Sequence, residues 1–282
     1  MTPIDPVLKT RLEIAFRRLS QQGAQRIPAP ASLAYKLERS VPATGVVSIS
    51  VRPEVAAMFA TAAVEVWGRA IHTFLISAAL TDASPIWASI AGYYASHYCI
   101  RGLAHLLGHF HLHRRKHSVI LEIQHGGHLC TFHKGQQREH QFYWKTVRQD
   151  PHFASDPLFT ENNESVDRSD ASHRNRASYG DHLSQFPPQF RPLQRQSLID
   201  RVTFISRMEF GAPPIPHRSR FPDLESVQVV AYQRIVKFRR FLDEVLGGGY
   251  RFWSIHRSPP WTEGIVDFQL VEQGTLASAG RS

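Results

Sequence analysis

The chain has 282 residues, 42% of them hydrophobic and 20% charged, which is the composition of a folded protein and not of a disordered one. It carries 33 lysines and arginines against 24 aspartates and glutamates, and this formal net charge of +9 either attracts a polyanionic partner or only keeps the protein in solution, since no dense block of basic residues stands out. Two cysteines are too few for a disulfide framework, and neither a secretory signal nor a membrane-spanning helix is recognisable. We therefore expect a cytoplasmic protein with no membrane partner.

The first 52 residues predict an N-terminal appendage of one helix and one strand. Apolar residues favour one side of the segment 6–22, as in an amphipathic helix, and the prolines after residue 27 end it. The segment 45–51 alternates and is β-branched, so it predicts a short strand.

Two long helices are predicted next, over about residues 53–80 and 84–108, each with a proline in its first turn. The second is apolar on nearly every side, which is typical of a helix buried in a bundle. A polar stripe interrupts it at four-residue spacing: His97, Arg101, His105 and His109. These side chains must face solvent, a polar partner or another subunit, because burying them unpaired is costly. The alternative to a functional role is a stripe that is solvated or has its hydrogen bonds satisfied within the core.

An insertion is predicted from residue 111 to 172. It begins with a basic loop and continues as a β-hairpin, with strands at 118–124 and 128–132 around a His-Gly-Gly turn. The polar stretch 136–173 predicts a long surface connection. Beyond it the pattern predicts helices around residue 174 and over 194–209 and 224–246, and then a C-terminal region, 247–282, with two short strands at 250–255 and 265–271.

Histidines are concentrated after the second long helix. Imidazole and thiolate are good zinc ligands, but these residues lack the spacing of a known zinc module, and Glu122 is the nearest carboxylate. A histidine-rich surface is therefore favoured over a metal site, and no cofactor is expected. The stretch comprises His105, His109, His111, His113, His117, His125, His128, Cys130 and His133.

Several common catalytic motifs are missing from the sequence. It contains no Gly-x-x-x-x-Gly-Lys loop, no Gly-x-Gly-x-x-Gly turn, no His-Glu-x-x-His pair and no Gly-x-Ser-x-Gly elbow. Nucleotide hydrolysis, dinucleotide binding, metalloprotease and esterase functions therefore lack their usual support.

The segment 173–182 combines residue types that suit chemistry on RNA. Five residues separate Arg176 from His182. An arginine can clamp a phosphate and a histidine can move the proton of a ribose hydroxyl, and metal-free cleavage needs little beyond these two roles and correct positioning. In a chain this rich in arginine and histidine, such a pair also arises easily by chance.

Two segments, in this order, resemble the HEPN superfamily (higher eukaryotes and prokaryotes nucleotide-binding domains). The segment 91–103 has paired aromatics followed by an alanine- and arginine-containing turn, and 174–180 resembles the family element Arg-x-x-Ala-x-Tyr-Gly. The resemblance covers about residues 54–246. It implies a mainly α fold, an up-and-down bundle of four or five helices that forms a homodimer. In this chain the bundle is expected over residues 53–246, with the small β-hairpin as an insertion and short strands at the periphery.

The resemblance also implies a function. Active members are metal-free ribonucleases of toxin or defence systems, with an Arg-x4–6-His motif at the dimer interface, and others are binding or antitoxin-partnered modules. Carried over to this chain, Arg176 is the phosphate clamp and His182 the proton carrier, with Arg174 and Tyr179 supporting the site and His97 and Arg101 facing it. The alternative is a non-enzymatic interaction module with a degenerate motif, and a third hypothesis is a histidine-liganded metal protein.

Overall fold

The computed structural model describes most of the N-terminal half and one long C-terminal helix. The protein is mainly helical and contains a small antiparallel sheet. The described residues are 3–22, 26–40, 46–113, 117–136, 138–160, 200–202, 205 and 222–246. They belong to two compact units, one built from residues within 1–66, 100–155 and 241–259 and the other from residues within 67–99 and 156–240.

The predicted long helices are confirmed, and their ends follow local sequence signals. Pro53 and Pro85 stand at the first helical positions, where a missing N–H costs nothing. The helices are α1 (Pro6–Gln22), α2 (Pro30–Ser40), α3 (Pro53–Ala79), α4 (Pro85–Leu106), α5 (Glu139–Gln149), α6 (Pro157–Thr160) and α7 (Pro222–Leu246).

The first unit contains a four-stranded sheet in the order β1-β4-β3-β2, with every neighbouring pair antiparallel. Its strands are β1 (Val47–Ser50), β2 (His109–His113), β3 (Ser118–Ile123) and β4 (Leu129–Gly135). β3 and β4 form the predicted hairpin, which is therefore confirmed. Because β1 pairs with β4, the segment predicted as an appendage shares one sheet with the predicted insertion.

The two faces of the sheet differ in chemistry because side chains alternate along each strand. One face packs an apolar core against residues of α2 and α3. The buried members of this core are Ala34, Val55, Phe59, Phe110, Val119, Leu121, Ile123, Cys130 and Phe132. In β2 the opposite face carries His109, His111 and His113, and α5 packs against this strand through its buried residues Phe142 and Tyr143.

The second unit packs its parts of α3, α4 and α7 together. The indole N–H of Trp67 donates to the carbonyl of Ile235 at 3.1 Å, and the Trp67 ring stacks on Phe238 with a centroid distance of 5.7 Å. The buried Gln228 amide donates to the Ser77 carbonyl at 3.0 Å and to the Thr81 hydroxyl at 2.9 Å. These bonds fix the register between the helices, because each buried polar group needs its partner.

Three parts of the chain differ from the sequence-based prediction. The polar stretch predicted as an irregular connection contains α5, an amphipathic helix that buries four large side chains. The basic segment predicted as a loop begins inside β2. Helix α2 was missed, because the prolines near residue 30 were taken only as the end of α1, whereas Pro30 occupies a first helical position.

Other predicted elements remain predictions. The helices at 174 and 194–209, apart from the helical residues 200–202 and 205, and the strands at 250–255 and 265–271 lie outside the described residues. The division at residues 52 and 246 and the HEPN-specific bundle also stay predictions. Within the part of the chain that the structure describes, no helix combines the length and apolar character needed to cross a membrane.

Candidate acid–base site

A pocket of about 610 Å³ lies in the first unit, between the start of α1, the β3–β4 turn and the end of α5. Its wall carries three carboxylates, Asp5, Glu122 and Asp150, and each has a histidine close by. A lysine, Lys145, also lines it. A pocket that brings together a small set of polar groups with shifted pKa values is a common place for a binding or catalytic site.

The central pair is His109 with Glu122. The two residues face each other across β2 and β3, so their side chains emerge on the same face of the sheet. The Nδ1 atom of His109 lies 3.5 Å from Oε1 of Glu122, which is an ion-pair distance without the geometry of a hydrogen bond, and both side chains are partly exposed. This contact, opposed by desolvation and aided by the charges of His133 and Lys145, lowers the pKa of Glu122. Glu122 is therefore ionised at neutral pH.

Asp150 is a second carboxyl in the same pocket, with the opposite shift. It follows the last residue of α5, and its Oδ1 accepts the backbone N–H of His152 at 2.9 Å. Burial raises the pKa of Asp150, although that hydrogen bond and the charges of His152 and His109 act against the rise. Two carboxyls with opposite pKa shifts, both interacting with His109, form an arrangement suited to proton transfer.

A chain of polar contacts connects α5 and α4 to this pair. Glu139, in the first turn of α5, binds Arg101 with an N–O distance of 2.9 Å. The Nε of Arg101 donates to Nε2 of His105 at 3.4 Å, and Nδ1 of His105 lies 2.8 Å from the carbonyl oxygen of His109. The Arg101 guanidinium also lies 5.5 Å from the centre of the Tyr143 ring. Every member of the predicted polar stripe after His97 therefore takes part in this network.

The residues of the predicted ribonuclease site cannot be placed together. Arg174, Arg176, Tyr179 and His182 lie outside the described residues. His97 is buried in the second unit, where its ring stacks on Tyr93 with a centroid distance of 6.4 Å. Arg101 belongs to the first unit and makes the contacts given above. The assignment of Arg176 and His182 stays a prediction.

The histidine-rich stretch is dispersed and does not converge on one point. His117 binds Glu38 at 2.8 Å and His125 approaches Asp5 at 3.5 Å, while His105 and His111 are buried. Cys130 points into the core, where burial raises the pKa of its thiol to about 11. Among the described residues, no three histidine, cysteine, aspartate or glutamate side chains are grouped so that they could hold a metal ion.

Sequence reasoning named Glu122 only as the carboxylate nearest to the histidine-rich stretch, and it missed Glu139, Tyr143 and Asp150 as partners of the histidines. One signal was present for the strand: residues 109–113 read His-Phe-His-Leu-His, an alternation that places three imidazoles on one face. A second signal was the spacing of apolar residues in 139–149, which is helical although the segment is polar overall. No pattern in the sequence indicates that His109 and Glu122 would be opposite each other.

Comparison with known proteins adds no relative. The sequence matches no protein-family model and no curated protein, and the fold matches no solved structure. The likeness to the HEPN superfamily accordingly remains a resemblance of two segments.

Proposed function

We propose that this chain acts on RNA by metal-free acid–base chemistry as part of a toxin or defence system. In this proposal the chain forms a homodimer and has an antitoxin-like protein as its partner. The observation that supports it best is the His109–Glu122 pair on the wall of the 610 Å³ pocket. A histidine held by a carboxylate is a strong candidate for a proton carrier near neutral pH. The net charge of +9 supports a polyanionic substrate.

In this proposal His109 accepts the proton of the ribose 2′-hydroxyl, and the ionised Glu122 stabilises the imidazolium that results. The 2′-oxygen forms a bond to the adjacent phosphorus while the bond from phosphorus to the 5′-oxygen of the next nucleotide breaks, and the imidazolium gives its proton to that leaving oxygen. Lys145, exposed at the same pocket and close enough to act on Glu122, provides a positive charge for the phosphate. Arg176 and His182 are the competing location for the same chemistry, because their spacing fits the family motif.

A second candidate function is a non-enzymatic interaction module, and the composition of the pocket favours it. Among the described residues that line the pocket there are three carboxylates and two permanently charged bases, Arg11 and Lys145. One of these bases, Arg11, donates to the carbonyl of Leu106 at 2.7 Å and is thereby engaged within the protein. Because its carboxylates outnumber its permanently charged bases, the pocket should attract a phosphate group less strongly than the net positive charge of the whole chain suggests.

Incubation of purified protein with a mixed RNA substrate in EDTA tests the proposal. The panel comprises wild type, His109→Ala, Glu122→Gln, His182→Ala and a control, His113→Ala, which removes an exposed imidazole from the same strand. Loss of cleavage with His109→Ala and Glu122→Gln alone places the chemistry in the pocket. Loss with His182→Ala alone supports the family motif, and absence of cleavage by wild type contradicts the ribonuclease proposal and favours the interaction module.

A further inference from the structure

We infer that Arg101 and His105 are positioning residues that hold His109 against Glu122 through the backbone of β2. This inference rests on the proposed function for its catalytic consequence, but its structural content is independent of any substrate. The four-residue spacing of the predicted stripe does not indicate this role for Arg101 and His105. It places His109 on the same helix as these two residues, whereas His109 lies in β2.

The hydrogen bonds determine the tautomer of His105. A carbonyl oxygen only accepts, so the 2.8 Å contact to the His109 carbonyl requires a proton on Nδ1 of His105. The other ring nitrogen then carries a lone pair, which matches its role as acceptor from Arg101 Nε at 3.4 Å. One neutral tautomer therefore satisfies both contacts, and the imidazolium would lose the contact with Arg101.

The surroundings of His105 keep it neutral. It is fully buried between the rings of Phe110 and Tyr143, each with a centroid distance of 5.4 Å. The pKa of His105 is lowered to about 3, mainly by burial and also by the charges of Arg101 and His109. The hydrogen bond to the His109 backbone has the opposite effect and raises this pKa. The facing titratable groups are Arg101 on α4, Tyr143 on α5 and His109 on β2, and Glu139 neutralises Arg101 from α5.

The hydrogen bond from His105 controls the orientation of His109 because it ends on the backbone carbonyl of His109, at the start of β2. Helix α4 ends at Leu106, and β2 starts at His109 after Gly108, whose φ of +95° turns the chain. The backbone N–H of Ile123 bonds the Gly108 carbonyl at 2.8 Å, so one side of the turn is tied to β3. The bond from His105 ties the next carbonyl to α4. With both carbonyls fixed, the Cα–Cβ bond of His109 is directed to Glu122.

The experiment compares two replacements of His105 by NMR of histidine- and glutamate-labelled protein. His105→Asn retains an amide donor near the position of Nδ1, whereas His105→Leu has the size to fill the site but cannot donate. We expect the wild type to show His105 as the Nδ1–H tautomer from pH 5 to 8. We expect the Glu122 titration to stay low in His105→Asn and to move upwards, towards an ordinary glutamate, in His105→Leu and in Arg101→Gln.

If the proposed function holds, kcat for RNA falls at least tenfold in His105→Leu with KM nearly unchanged, and His105→Asn restores most of it. The inference is overturned if His105 of the wild type is the Nε2–H tautomer. It is also overturned if the Glu122 titration is unchanged in Arg101→Gln or in His105→Leu. Should His105→Leu fail to fold, the wild-type tautomer and Arg101→Gln decide. A Glu122 shift without RNA cleavage by wild type supports the positioning role and refutes the ribonuclease proposal alone.

Discussion

The hydroxyl of Tyr143 makes two hydrogen bonds to the backbone of His111: it donates to the carbonyl at 3.1 Å and accepts the N–H at 3.0 Å. Among the described strands β2 is at the edge of the sheet, so within this part of the chain these two groups have no neighbouring strand to pair with. A single side chain on α5 therefore does what a further strand would do, and it closes this part of the edge.

Tyr143→Phe should destabilise the first unit by about 2 kcal/mol, since two buried backbone groups lose their partner while the ring keeps its packing. Urea unfolding measured at pH 7 gives the change in free energy. Tyr98→Phe is the control, because the described residues provide no hydrogen bond to its hydroxyl, and we expect a change within about 0.5 kcal/mol. Equal effects of the two substitutions would show that the Tyr143 hydroxyl contributes nothing specific.

Helices were predictable where their pattern was strong, and the sheet register was not. The long apolar helices α3 and α4 follow from periodicity and from their N-terminal prolines. The four-residue spacing of His105 and His109 also fitted a continued helix, and only the positive φ of Gly108 shows that the chain turns between them. The helix was predicted to end at about residue 108, but local sequence could not show that His109 begins a strand, because a glycine is compatible with a helix and with a turn.

The candidate site depends on long-range pairing. Glu122 faces His109 because β2 and β3 pair in one register, and a shift by one residue would turn Glu122 to the apolar face. The register is stabilised by the burial of residues such as Phe110 and Leu121, which are cross-strand partners on the core face. The spacing of Arg101 and His105 was informative, since these two side chains do touch along α4.

Gly108 and Gly68 should respond oppositely to alanine. A Cβ at Gly108 would lie 2.7 Å from Cβ of Ile123, in a backbone with φ of +95°, so Gly108→Ala should cost about 3 kcal/mol. Gly68 lies within α3, and apart from its own helix backbone no atom of the described residues lies within 4 Å of an added Cβ, so Gly68→Ala should stabilise the protein by about 0.5–1 kcal/mol. Thermal unfolding of both variants decides this, and a neutral Gly108→Ala would contradict the described turn.

The ion pair of Lys237 and Asp156 in the second unit should matter more than an exposed pair of the same geometry. Its N–O distance is 2.8 Å and the two side chains are only 7% and 15% exposed. Asp156→Asn leaves the buried ammonium without this carboxylate, which should cost about 3 kcal/mol.

The matched control is Glu54→Gln, which removes the carboxylate of the more exposed pair Arg18–Glu54 at 2.7 Å. Water screens that pair, so the expected cost is below about 1 kcal/mol. Chemical unfolding of both variants gives the comparison, and similar costs for the two pairs would contradict the difference in burial.

The buried neutral His105 should make the stability of the protein depend on pH. Its pKa is lowered from 6.5 to about 3, mainly by burial, so below pH 6.5 the unfolded chain binds a proton that the folded protein refuses. The stabilisation is complete above pH 6.5 and is lost progressively as the pH falls towards 3. Between pH 6.5 and pH 4 this single residue should remove roughly 3 kcal/mol.

The comparison of wild type with His105→Asn isolates this effect, because asparagine does not titrate and retains a donor for the His109 carbonyl. Other titrating groups, including Glu122 and Asp150, are common to both proteins and cancel in the difference. Urea unfolding at pH 7 and at pH 4 should therefore show a loss of stability that is larger in wild type by roughly 3 kcal/mol. Equal losses would mean that His105 gains its proton in the folded protein as readily as in the unfolded chain, and the neutral tautomer on which the positioning of His109 depends would be wrong.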